Sequence, residues 1–184
     1  EMQNGSILTV TQALSLTGNV TTTVTGFAAG GLIGAVTNPT ITLNNSVTRK
    51  GTIEGTSESG GFIGKAVYNY NRTDNTELEL DLSKINVSGI TISNGNHAGG
   101  YFGVLNFDST AGGAITIKNV PETKLTHTGT SWQFGGVIGQ YSANSQSSTL
   151  RLESPNVTIS SNGTVTALGG IIGSVAGNGA DLAL

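Results

Sequence analysis

The sequence repeats one five-residue phrase, two glycines followed by two apolar residues and a third glycine, five times. The first glycines stand at positions 30, 60, 99, 135 and 169, so successive copies are 30, 39, 36 and 34 residues apart. Self-similarity at such a period indicates a structural unit stacked on copies of itself. The copies are Gly30-Gly31-Leu32-Ile33-Gly34, Gly60-Gly61-Phe62-Ile63-Gly64, Gly99-Gly100-Tyr101-Phe102-Gly103, Gly135-Gly136-Val137-Ile138-Gly139 and Gly169-Gly170-Ile171-Ile172-Gly173.

Two shorter phrases precede each glycine phrase, always in the same order. Their period-two alternation predicts strands with apolar residues inward and polar residues outward. Three strands per unit predict an all-β, right-handed parallel β-helix, a three-sided solenoid of about five coils. A β-sandwich is the alternative, because short strands at regular spacing also describe that fold. The phrases begin at Leu8, Ile41, Leu78, Ile115 and Leu150, and at Val20, Val47, Val87, Leu125 and Val157.

Stacking predicts that each of these two sets forms one interior column. The residues after the second set, Thr21, Thr48, Ser88, Thr126 and Thr158, would then present an outward hydroxyl column. Such a column makes ice binding a remote possibility. Turns are predicted where Asn and Gly cluster, as at Asn94-Gly95-Asn96, because these residues tolerate positive φ.

The two apolar residues of the glycine phrase are adjacent, although neighbouring strand residues face opposite sides. We favour a bend at the glycines that buries both columns. The alternative is an exposed apolar stripe that supports lateral self-association. That stripe would be Leu32, Phe62, Tyr101, Val137 and Ile171, or Ile33, Ile63, Phe102, Ile138 and Ile172.

Composition narrows the class of protein. The 184 residues predict a single solenoid segment, 1–184, and the abrupt start and the uncapped end predict a piece of a longer repetitive surface protein. The net charge is −3 without a basic patch, which argues against nucleic acid as a partner. No apolar stretch approaches the ~20 residues that span a bilayer, so we expect no membrane-spanning part in this segment. Absence of cysteine excludes thiol chemistry and disulfides.

The five glycine phrases resemble the GLUG motif of large bacterial surface proteins. That family includes adhesin-like proteins and the non-catalytic regions of streptococcal IgA-cleaving metalloproteases. The resemblance implies an extracellular β-solenoid at the bacterial cell surface, without catalytic residues in the motif. Phe62, Tyr101 and Phe102 depart from the aliphatic pattern of the motif.

Residues for catalysis or metal binding are sparse. Glu77, Glu79 and Asp81 alternate along one predicted strand, and we favour a solvated acidic face over a weak cation site. His97 and His127 lack further ligands at zinc spacing, and we expect packed or hydrogen-bonded histidines. We therefore expect no enzymatic activity, no metal and no cofactor.

Aromatic side chains supply the candidate ligand-binding residues, Tyr68, Tyr70, Phe107 and Trp132, because an exposed ring can stack on a sugar or anchor a partner. They lie in or near two predicted loops, Tyr68 to Thr76 and Phe107 to Gly113, or before a glycine phrase. The predicted function is an adhesin or stalk module that binds a glycan or protein of a host or neighbouring cell. The alternatives are a polysaccharide-degrading enzyme domain and a lateral self-assembly module.

Overall fold

The computed structural model describes residues 6–70, 77–109, 113–143, 148–153, 155–177 and 180–183. Every regular element in these ranges is a β-strand, and no helix occurs in them. All the strand pairings are parallel. The predicted parallel β-helix is confirmed, and the β-sandwich alternative is wrong. The right-handed winding stays a prediction.

Five successive coils each carry one glycine phrase. The first contains β1 (Ile7–Val10), β2 (Leu14–Leu16), β3 (Val20–Thr21), β4 (Ala29–Gly30) and β5 (Ile33–Thr37). The second contains β6 (Thr40–Leu43), β7 (Val47–Arg49), β8 (Thr52–Glu54), β9 (Glu58–Gly60) and β10 (Ile63–Tyr70). The third contains β11 (Glu77–Asp81), β12 (Ile85–Asn86), β13 (Ile90–Gly99) and β14 (Phe102–Ser109). The fourth contains β15 (Gly113–Lys118), β16 (Thr123–Gly135) and β17 (Ile138–Ala143). The fifth contains β18 (Ser148–Leu152), β19 (Val157–Ser161), β20 (Thr164–Gly169) and β21 (Ile172–Ala176), and β22 (Ala180–Ala183) follows it.

The coils stack into three long faces. The first face consists of β1–β6 and, separately, β11–β15–β18–β22. The second contains β3, β4, β8, β9, β13, β16, β19 and β20, and the third is β5–β10–β14–β17–β21. A short sheet, β2–β7–β12, joins the first face to the second in the first three coils. The faces enclose a continuous core of aliphatic and aromatic side chains that passes from coil to coil.

The predicted column of the first face is confirmed in two separate parts. Leu8 pairs with Ile41, while Leu78, Ile115 and Leu150 pair in series. The two groups belong to separate sheets, because β6 and β11 do not pair. Each buried aliphatic of this kind contributes roughly 1.5–3 kcal/mol relative to an exposed one.

The predicted second column is wrong. Val20 pairs with Ile53, whereas Val47 pairs with Leu14 and Ile85. Leu125 pairs with Ile90 and Ile159. The predicted hydroxyl column fails with it, since Thr21 pairs with Glu54 and Thr48 with Ser15 and Asn86, and the basis for ice binding is lost.

The glycine phrase forms the corner between the second and third faces. Its first glycine ends a strand of the second face, its fourth residue begins one of the third, and the two residues between them form a bend. First glycines stack in register from Gly30 to Gly169. In the three middle coils both apolar columns are buried: Phe62, Ile63, Tyr101, Phe102, Val137 and Ile138 are at most 2 % exposed. The bend that buries both columns is confirmed, and the exposed stripe is wrong.

The corner also explains why glycine is needed. A Cβ added to Gly60 would lie 1.9 Å from the carbonyl oxygen of Ile63, which leaves no room for any side chain. The amides of Phe62 and Ile63 both donate to the carbonyl oxygen of Tyr101 in the next coil, at 3.0 and 2.9 Å. The same pair of hydrogen bonds recurs at each corner down to Val137 and Ile138, which donate to Ile171. The phrase is therefore a repeated, hydrogen-bonded corner.

Candidate ligand-binding groove

Tyr68 and Phe107 do not reach the surface. They are paired neighbours on β10 and β14, and they are 0 % and 2 % exposed. The expectation that these rings are exposed for a ligand is wrong, because their strands continue past the predicted loop starts and turn both side chains into the core. Ala66 and Tyr68 are two residues apart, as are Leu105 and Phe107, so the members of each pair face the same side of their strand. Because Ala66 and Leu105 are buried, this spacing predicts that the two rings are buried as well.

The predicted loops are correspondingly shorter at their starts. Tyr70 ends β10, and its side chain lies outside the described part of the structure, as do residues 71–76 and 110–112. Trp132, by contrast, is 61 % exposed on β16. Its neighbour Ser131 points inward and is 2 % exposed, so the indole stands on the outer surface of the second face.

The second face is bent by a bulge in β13. The pairing of β13 with β16 shifts register between Ser93 and Gly95. Asn94 has φ 60° and Gly95 has φ 116°, both in the left-handed region. The positive φ predicted for these residues is confirmed, but the predicted turn is wrong, because Asn94-Gly95-Asn96 form a bulge within β13. A groove lies beside this bulge on the outer surface.

The groove has a volume of about 300 Å³ and crosses four coils. Its lining carries hydroxyls, amides and one carboxylate. We call it the Thr/Asn groove; it is lined by Thr21, Thr22, Thr23, Glu54, Gly55, Thr56, Asn94, Gly95, Asn96 and Thr130.

Hydrogen bonds between coils fix the polar groups of the groove. Asn94 Nδ2 donates to Glu54 Oε1 at 3.0 Å, and the amide of Thr130 donates to Asn94 Oδ1 at 2.9 Å. The Thr56 hydroxyl donates to the carbonyl of Val24 at 2.8 Å. Because these bonds exist before any ligand arrives, the lining is preorganised, which lowers the entropy cost of binding.

Trp132 lies at the edge of this groove. The register pairs Gly95 with Ser131 and His97 with Gln133, which places Trp132 beside Asn96 across one rung of the ladder. Neighbouring strands are about 4.8 Å apart, so an aromatic face and an amide of the groove are adjacent. Sequence reasoning selected Trp132 and the Asn-Gly turn separately, but it did not bring them together, because the register of the second face was predicted wrongly.

The acidic face on β11 is paired with cations of the next two coils. Glu79 forms an ion pair with Lys118, and Arg151 Nη1 lies 3.0 Å from Glu77 Oε1. The Thr116 hydroxyl donates to Glu77 Oε1 at 2.7 Å. This hydrogen bond and the charge of Arg151 hold the pKa of Glu77 below its ordinary value. Among the described residues, no group of three or more His, Asp or Glu is placed to hold a metal ion.

The two histidines have hydrogen-bond partners, as expected. His97 Nδ1 lies 2.6 Å from Gln133 Oε1 on the second face. His127 is fully buried between Ser131 and Ser161, with each hydroxyl 2.9 Å from a ring nitrogen.

No family model, no curated protein and no solved structure matches this chain. The described residues contain no helix long and apolar enough to cross a membrane.

Proposed function

We propose that this chain is a non-catalytic, extracellular β-solenoid of a bacterial surface protein that binds a glycan through the Thr/Asn groove. The exposed indole of Trp132, one rung from Asn96 at the groove edge, is the observation that carries the proposal. Sugars present apolar C–H faces and many hydroxyls, so an aromatic ring beside fixed hydrogen-bonding groups is the surface that suits them.

A binding role agrees with the groove better than hydrolysis does. Hydrolysis of a glycosidic bond ordinarily uses two carboxyl groups on opposite sides of the bond. Glu54 is the one acid in the lining of the groove, and its Oε1 already accepts a hydrogen bond from Asn94. The resemblance of the glycine phrases to the GLUG motif supports the adhesin role and the cell-surface location, and the stacked coils would serve as a rigid stalk.

A glycan array probed with the purified chain tests this function. We expect a restricted set of neutral or weakly cationic glycans to bind. Trp132→Ala should weaken the best of them at least tenfold, which corresponds to about 1.4 kcal/mol. Trp132→Phe should recover part of that loss, because it restores an aromatic face.

Glu54→Gln and Glu122→Gln form a matched pair for the groove. Glu122 is a surface acid, and its side chain is 67 % exposed outside the groove, so its substitution should leave binding unchanged. Glu54→Gln should alter binding because it changes a groove acceptor. If Trp132→Ala and the unaltered chain bound the glycan equally, the proposed binding site would be wrong. Release of shortened saccharides would overturn the non-catalytic role.

A further inference from the structure

The ladder of the first face is interrupted between β6 and β11. These strands belong to consecutive coils, but they lie in different sheets. The same two coils pair normally elsewhere, through β7 with β12, β8 with β13 and β10 with β14. The interruption is therefore a local cleft in one face. The facing edges of β6 and β11 border this cleft, and neither edge has a ladder partner among the described residues.

The cleft is wider than one rung of a sheet. Cα–Cα distances between β6 and β11 exceed 8 Å for nearly every pair of their residues. Strands in a ladder lie about 4.8 Å apart, and two rungs span about 9.6 Å. The separation therefore exceeds one rung, as the insertion of an extended chain between β6 and β11 requires.

A cavity of about 200 Å³ lies beneath the cleft, and both apolar side chains and Glu79, Asp81, Ser83 and Lys84 line it. Phe62 and Phe102 line it, packed edge to face with ring centroids 6.2 Å apart. Its other apolar lining residues are Ile41, Leu43, Leu80, Leu82 and Ile85. A dry cavity of 150 Å³ is large enough for a benzene molecule, so this one has room for an apolar side chain of a bound strand.

Lys84 closes one end of the cleft. Its ammonium donates to the carbonyls of Leu43 and Asn44 at 2.8 and 3.0 Å, and the amide of Val47 then donates to the Lys84 carbonyl at 2.8 Å. Pairing resumes there with Val47 and Ile85. The free stretch is consequently the run from Thr40 to Thr42 on one side and the start of β11 on the other.

The charged groups beside the cleft already have partners. Glu77 is paired with Arg151, and Glu79 with Lys118. Asp81 accepts hydrogen bonds from the amide of Ser83 and the side chain of Asn119, and Lys84 donates to the two carbonyls already described. The partner that suits such a cleft is therefore not a strongly charged one. We propose that the cleft accepts an extended, uncharged polypeptide segment as an added strand, with one apolar side chain seated over Phe62 and Phe102. Main-chain hydrogen bonds give affinity in this mode of recognition, and the pocket gives specificity.

A peptide that copies the neighbouring rung is a direct probe. Acetyl-Thr-Ile-Thr-Leu-Asn-amide reproduces residues 40–44, whose Ile and Leu already fit this column. We expect saturable binding and slower amide exchange in β6 and β11. The same peptide with N-methylated Ile and Leu amides cannot donate its hydrogen bonds on that edge and should bind at least tenfold more weakly.

A second arm changes the protein. Leu80→Trp fills the cavity and should reduce peptide binding at least tenfold while circular dichroism retains the β signal. If this variant does not fold, the N-methylated peptide on the unaltered chain decides the question.

Several outcomes would overturn the proposal. The first is a lack of saturable binding at about 1 mM peptide. The second is equal binding of the N-methylated and the unmodified peptide. The third is slower amide exchange only in the outer strands β5 and β21. A dimer that the peptide dissociates would assign the cleft to a second copy of this chain and overturn the choice of partner.

Discussion

The Nε2 atom of His127 and the hydroxyl oxygen of Ser131 lie 2.9 Å apart inside the solenoid, and both residues belong to β16. Ser161 of the next coil holds the other ring nitrogen at 2.9 Å, and the ring packs on Phe134 with centroids 4.6 Å apart. A neutral imidazole can donate from one nitrogen and accept at the other, and serine hydroxyls rotate to suit either role. The site therefore suits the uncharged histidine.

Burial lowers the pKa of His127 below its ordinary value of 6.5. Near and below pH 6.5 the unfolded chain consequently binds more protons than the folded chain, so the free energy of unfolding falls as the pH decreases. This loss begins near the ordinary pKa and continues until the pH reaches the lower, folded-state value. Its slope for one proton is at most about 1.4 kcal/mol per pH unit.

Urea unfolding between about pH 5 and pH 8 measures this dependence. His127→Gln should be less stable at pH 8, but its free energy of unfolding should fall less steeply below pH 7. An identical slope in the variant and the unaltered chain would mean that other groups cause the acid sensitivity.

The corner glycines provide a matched pair of substitutions. A Cβ at Gly136 would lie 2.2 Å from the carbonyl oxygen of Gly170 in the next coil, whereas a Cβ at Gly170 meets nothing within 4 Å. Gly136→Ala should therefore force neighbouring backbones apart and cost about 3 kcal/mol or more. Gly170→Ala should change stability by less than about 1 kcal/mol. Thermal unfolding of the two variants checks the contrast, and equal losses would contradict the role assigned to the second glycine.

How far the sequence predicts this fold depends on how firmly each phrase is anchored. The glycine phrase is five residues long and tied to a corner, so its register from Gly30 to Gly169 follows from the sequence. The inward residues of the first face, from Leu8 to Leu150, also follow from the sequence, because period-two alternation defines them. What the sequence does not indicate is the open rung between β6 and β11.

The second face shows why the rest could not be predicted. An apolar residue followed by Thr is a two-residue phrase, and it recurs by chance in a chain rich in Thr and Val. Coils of unequal length then shift the register, so that Val20 pairs with Ile53 instead of Val47. The groove beside Trp132 depends on that register and on the bulge at Asn94. Trp132 could be selected from the sequence, but its place beside Asn96 could not.

Two buried tyrosines test the hydrogen bonds of the core. The hydroxyl of Thr123 donates to the Pro121 carbonyl at 2.7 Å, so it must accept from the Tyr101 hydroxyl, 2.8 Å away. The Tyr141 hydroxyl is buried without a hydrogen-bond partner among the described residues. Burial raises the pKa of Tyr101 and that of Tyr141 to about 12.

Tyr101→Phe should destabilise the fold by about 1 kcal/mol, because it leaves a buried acceptor on Thr123 with one partner fewer. Tyr141→Phe should be neutral or stabilising, because it removes a buried hydroxyl that lacks a partner. Denaturant unfolding compares them directly. The assignment would be wrong if Tyr141→Phe cost as much as Tyr101→Phe.

Trp132 is the one tryptophan in the sequence, so its fluorescence reports the groove edge alone. Because it is 61 % exposed, its emission should be close to that of indole in water and should be quenched readily by acrylamide. A glycan that covers the indole should shift the emission to shorter wavelength and protect it from quenching. A bound glycan that left both properties unchanged would lie elsewhere on the solenoid.

The paired amides at the glycine corners give the stack a polarity. At each corner, two N–H groups of one coil meet a single carbonyl of the coil that follows it, never the reverse. A coil added upside down would set amide pair against amide pair and leave both unsatisfied. At these corners the two ends of the stack are therefore chemically different, one presenting hydrogen-bond donors and the other an acceptor.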